Sequence, residues 1–178
     1  MSKISRDPAE LADFPLYYGL LSNLGILVLA AGAFISFFAS FHVEGPKIRS
    51  LLRWAGILTL ILLLDDFLLI HDEVFPQVLH LPEAVVYLLY LVTFPLFFFR
   101  HLNAILEQTE YRILVLGIFL MGVSVLIDIN FLPGGTDVED SFKLFGIVAY
   151  SYYWVFTSHR LIAQSIQHPL NTQLSQFQ

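Results

Sequence analysis

Two adjacent aspartates inside an apolar run are the first residues in this chain equipped for chemistry. The segment Leu64-Asp65-Asp66-Phe67-Leu68-Leu69-Ile70-His71-Asp72-Glu73 holds four carboxylates and one imidazole. Carboxylate and imidazole groups move protons, and together they ligate hard or borderline divalent ions such as Zn, Mn, Fe or Mg. On a continuous helix, Asp65 and Asp72 point one way, Asp66 and Glu73 the next, and His71 stands beside Asp72. The four acids then occupy an arc of roughly 120°. At a helix C-terminus they oppose the negative end of the dipole, so they require a cation or a proton.

Two later segments repeat the pattern. Gly117, Met121, Ser124 and Asp128 share one helix face, with Asp128 near its end. After the turn Pro133-Gly134-Gly135, the residues Glu139, Lys143, Tyr150, Tyr153 and Thr157 form a polar stripe flanked by Gly146. Asp65, Asp66, Asp128 and Lys143 are therefore the candidate catalytic groups. Asp66, His71, Glu73, Asp128 and Glu139 are the candidate ligands of a divalent metal ion. Structural readings compete at several positions. Thr136-x-x-Glu139 has the form of a capping box, Glu139 and Lys143 that of an i,i+4 pair, and Lys143 could simply neutralise Asp65 or Asp128. His42, His80, His101, His159 and His168 read as ordinary residues flanking helices.

The elements that carry these groups are long and apolar. A membrane-spanning helix needs about 20 mostly apolar residues. Five segments qualify, at about 16–41, 51–70, 82–101, 112–132 and 141–161, joined by short connections. They predict an all-α polytopic bundle forming one transmembrane domain over 1–162, with a polar, disordered tail over 163–178. Asp65 and Asp66 then lie roughly 20 Å into a 30 Å hydrocarbon core. Pro95 is expected to kink the third helix and free the carbonyl of Leu91. Gly32-xxx-Ser36-xxx-Ser40 is a small-residue stripe that lets a second helix approach closely. Tyr150, Tyr153 and Trp154 sit deep, so their polar tips call for partners inside the bundle.

Composition supports the same class. Of the 178 residues, 57% are hydrophobic and 13% charged, about half the charged share of a soluble domain. A soluble enzyme is disfavoured. The net charge of −6 speaks against nucleic acid as a partner. The absence of cysteine excludes disulfides, thiolate catalysis and Cys-ligated zinc. Lys47, Arg49, Arg53, Arg100, Arg112 and Arg160 fall on one side of the bundle, and Lys3, Arg6 and Lys143 on the other. The positive-inside rule then puts the N-terminus outside and the C-terminus in the cytoplasm of a bacterial inner membrane or plasma membrane. Only Glu44, Glu107 and Glu110 of the 15 acids lie inside, so the balance is +3 inside and −9 outside.

Intramembrane acids mark function by default. The leading reading is a metal-assisted hydrolase or transferase acting on a lipid at the outer leaflet. The acids and His71 would hold the metal or act as base, while Lys143 stabilises developing negative charge. Two other readings stand beside it: a subunit that conducts protons or divalent cations, and a non-catalytic assembly subunit paired with a second copy or another membrane protein. The paired-His motif of ceramidase-like hydrolases is missing, as are the aspartate motifs of the CDP-alcohol phosphotransferases and polyprenyl transferases, the nucleophile elbow and the P-loop.

Overall fold

The computed structural model describes residues 20–82 and 84–175, without the side chains of residue 72 and of 168–175. Glu83 and the first residues of the expected first span lie outside the described residues. The described chain is helical, in the order α1 (Leu20–His42), α2 (Pro46–Leu68), a π-helical segment (Ile70–Val78), α3 (Ala84–Gln108), α4 (Tyr111–Asp128) and α5 (Thr136–Ser175). Among the described residues three helices, α1, α3 and α4, are long and apolar enough to cross a membrane. The other two carry more charge: Lys47, Arg49, Arg53, Asp65 and Asp66 in α2, and Asp137, Glu139, Asp140 and Lys143 at the start of α5.

Local chemistry sets the ends. The chain turns into α2 through Gly45 at φ 87°, a conformation open to glycine, and Pro46 occupies the first turn, where its missing N–H is not needed. α4 stops at Asp128, short of the expected boundary at 132, and Asn130 turns the chain with φ 57°. The amides of Val138 and Glu139 then bond to the carbonyl of Gly135, which closes the first turn of α5. Thr136 is therefore inside the helix and does not serve as the N-cap of a capping box. α3 extends to Gln108 and α5 to Ser175, both past their expected limits of 101 and 161. The helix thus runs on into the segment expected as a disordered tail.

α1 packs between α2 and α5, and α5 packs in turn against α4. Small residues close these seams. A Cβ added to Gly32 would sit 3.2 Å from the Ser151 Cβ, and Ser36 and Ser40 are fully buried, so the stripe on α1 serves packing within the chain. Tyr150, Tyr153 and Trp154 form the centre of the core, all at 0% exposure. The Tyr150 hydroxyl meets Thr59 Oγ1 at 3.1 Å, and that of Tyr153 meets Thr109 Oγ1 at 2.8 Å. α3 buries Val86 in its first half and more of its side chains in its second half. Phe97, His101 and Ile105 are buried there, and His101 Nε2 lies 3.3 Å from Ser50 Oγ. That histidine is a packed joint between α2 and α3, not a flank residue. The first half of α3 stands away from α4 and α5.

Candidate functional site

The space under the first half of α3 is a cavity of about 410 Å³. α2, α3, α4 and α5 run alternately up and down the bundle. The end of α2, the start of α3, the end of α4 and the start of α5 therefore meet at one end. That meeting places Asp65, Asp66, His71, Asp128, Glu139 and Lys143 on the cavity wall together. Apart from Ser124, the remainder of the wall is apolar or aromatic, from Leu29 and Leu62 to Phe94, Phe98 and Met121.

The geometry departs from a continuous helix at Leu69. This residue takes a left-handed conformation, φ 50° and ψ 47°, and its amide bonds to the Asp65 carbonyl. Beyond it the chain forms a π-helix, with the amide of Val74 reaching the carbonyl of Leu69. Such segments recur at functional sites. The consequence here is a specific pairing. His71 Nδ1 lies 3.0 Å from Asp65 Oδ2, and the His71 amide donates to Asp65 Oδ1 at 3.1 Å. One carboxylate thus caps the broken helix and orients the imidazole. The expected alignment of Glu73 with Asp66 does not form, because the chain reverses at Leu69, and the side chain of Asp72 lies outside the described residues. Glu73 is exposed and lies off the cavity wall.

The other acids are paired across helices. Lys143 Nζ of α5 meets Asp66 Oδ1 of α2 at 2.6 Å. The Tyr87 hydroxyl of α3 donates to Asp128 Oδ2 of α4 at 2.5 Å. Tyr90, one turn further along α3, shares the cavity wall with Asp65, and the ring of Tyr87 lies 5.8 Å from that of His71. Asp65, Asp66 and His71 are each more than nine-tenths buried. The second oxygen of Asp66, Oδ2, meets no hydrogen-bond donor among the described residues.

Of the candidate catalytic groups, all four, Asp65, Asp66, Asp128 and Lys143, face the cavity. Of the candidate metal ligands, Asp66, His71, Asp128 and Glu139 face it and Glu73 does not. Among the described residues no group of three or more His, Cys, Asp or Glu side chains is gathered as a ligand set. Tyr87 and Tyr90 were not foreseen. Their signal was available as two tyrosines three residues apart at the start of an apolar helix, where polar tips need partners.

Residues 1–157 match the family described as Domain of unknown function (DUF8692). The chain belongs to that family. No curated protein and no solved structure matches it.

Proposed function

We propose that this DUF8692 chain is a five-span membrane protein, N-terminus outside and C-terminus cytoplasmic, that hydrolyses or transfers a group of a lipid held in its cavity. α2 and α5 supply the two additional spans. Both pack along α1, which is itself apolar enough to cross, and they turn their inner charges into the cavity rather than toward lipid. The charge asymmetry of the connections supports the orientation and an inner or plasma membrane setting.

The observation that carries the activity is the buried Asp65–His71 pair at the polar end of an otherwise apolar cavity. His71 turns Nδ1 toward Asp65 Oδ2 at 3.0 Å, which assigns the role of proton acceptor to Nε2. A water or substrate hydroxyl transfers its proton to Nε2 as its oxygen bonds to the lipid's acyl or phosphoryl centre. The same proton then passes from His71 to the departing atom, oxygen in an ester and nitrogen in an amide. Asp65 holds the ring and stabilises the imidazolium. Lys143 offsets negative charge on the reacting centre. A divalent ion would need to displace Lys143 from Asp66 and Tyr87 from Asp128 to gather three ligands, so metal content is measured separately on wild type, Asp66→Asn and Asp128→Asn.

The test is turnover of radiolabelled ester- and amide-linked lipids by protein reconstituted in liposomes. Wild type is expected to release product from at least one, and His71→Asn and Asp65→Asn to lower the rate about 10²–10⁴-fold, the size of a lost general acid–base. No turnover, or His71→Asn as fast as wild type, overturns the reading. Proton or divalent-cation flux abolished by Asp128→Asn would move the site to transport.

A further inference from the structure

Three residues face the cavity and its surroundings at once. From the Tyr87–Asp128 hydrogen bond at the polar end, Leu91 and Pro95 follow Tyr87 along one face of α3, and Val125 and Gly122 follow Asp128 back along α4. All of these residues line the cavity. Leu91, Pro95 and Gly122 are nevertheless exposed, which places them at the rim of an opening. The packing agrees, because α3 lies on α2 whereas α4 lies on α5.

Gly122 keeps that opening wide. A Cβ built there meets no atom within 4 Å, so packing against a neighbour does not account for the glycine. Glycine within a helix is destabilising relative to alanine, yet any larger side chain here would project into the gap. On the opposite rim Pro95 has no amide to bond the Leu91 carbonyl, so that side of the opening bends more easily. Gly122 lies six residues inside the end of α4 at Asp128, about 9 Å along the axis. Both rim helices are apolar enough to cross a membrane. At that depth the surrounding medium is lipid chain, not water.

We propose that a membrane lipid enters the cavity sideways from the bilayer, its acyl chain passing between α3 and α4 over Gly122 while its head stays at the level of Tyr87 and Asp128. The occupant follows from the medium at the rim and from the apolar wall behind it, which includes Leu29 and Ile147. Gly122 thereby sets how bulky a chain can pass. The inference rests on the lipid-acting reading and adds the route by which the lipid reaches the Asp65–His71 pair.

The experiment reconstitutes the full chain in liposomes of phosphatidylcholine bearing a photoactivatable diazirine in one acyl chain, and maps the crosslinked residues by mass spectrometry. Leu29 of α1 and Ile147 of α5 line the cavity, belong to neither rim helix and are only 1% and 4% exposed, so a chain meets them from inside. Phe99 and Phe119 are exposed and report the outer surface. Wild type is expected to crosslink at all of these positions. Gly122→Trp and, from the opposite rim, Leu91→Trp should each lose the inner crosslinks and keep the outer ones. The outer crosslinks show that a variant is folded and inserted, and the second variant keeps the test decisive if the first does not fold. Wild type crosslinked only at Phe99 and Phe119, or inner crosslinks that persist in a folded rim variant, overturns the proposal. Turnover is a separate readout: His71→Asn should lose it and keep the inner crosslinks, and a chain that turns over no lipid can still admit one.

Discussion

The α4–α5 seam and the α3 side of the bundle are built from opposite materials. At the seam, Gly117 and Gly146 let two backbones touch: a Cβ on Gly117 would lie 2.7 Å from the Tyr150 amide nitrogen, and one on Gly146 2.7 Å from that of Met121. Across the cavity, α3 presents Tyr87, Tyr90, Phe94 and Phe98. These bulky side chains hold α3 away from α4, and the hydroxyl of Tyr87 on Asp128 bridges the gap. Close approach removes space, whereas aromatic spacers create it and polar pairs can then line it. Glycine near the cavity has a different meaning from glycine at the seam. A Cβ on Gly122 of α4 would meet nothing within 4 Å.

The largest expected effect tests this contrast directly. Gly117→Ala should lower unfolding stability by about 2–3 kcal/mol, because a methyl group cannot be placed against backbone without shifting a helix. Gly122→Ala, on the same helix, should raise it by up to about 1 kcal/mol through helix propensity. Unfolding in mixed micelles reads both, and equal behaviour would break the comparison. Thr59→Val leaves the Tyr150 hydroxyl without that partner at 0% exposure and should cost about 2 kcal/mol in the same assay. Tyr87→Phe cuts the bridge on the open side. It should cost about 1–2 kcal/mol and, more tellingly, speed hydrogen exchange in the first half of α3 while its anchored second half stays protected. Uniform exchange along α3 would argue against an open side. The smallest effect belongs to Leu69→Gly. The left-handed residue becomes glycine, the stability change stays within about 1 kcal/mol, and the His71–Asp65 pairing persists, as read by the imidazole resonances.

Much of this arrangement can be read from residues in order. The apolar stretches, the small-residue stripe Gly32-xxx-Ser36-xxx-Ser40 and the deep Tyr150 and Tyr153 all follow from side-chain type and helical period. So does the accumulation of acids toward one end, since alternate helices return their termini there. Asp66 and Lys143 sit on different helices, yet each shows a charge that an apolar setting does not tolerate alone, which announces that partners exist without saying which.

His71 is the instructive failure. It lies six residues from Asp65, an offset that places the two about 120° apart on a straight helix, so helical periodicity does not pair them. A single left-handed leucine brings the pair together, and no composition or spacing rule singles out Leu69 for that conformation. Tyr87 and Tyr90 escaped notice for a related reason: the acids that share the cavity wall with them, Asp128 and Asp65, belong to other helices. The sequence alone settled the helical class, the faces able to pack closely and the end at which charge would gather, because these depend on each residue and its near neighbours. The dyad, the cross-helix pairs and the cavity depended on the tertiary structure. They arise from how far side chains on separate helices hold those helices apart, and that distance is a property of the packed whole.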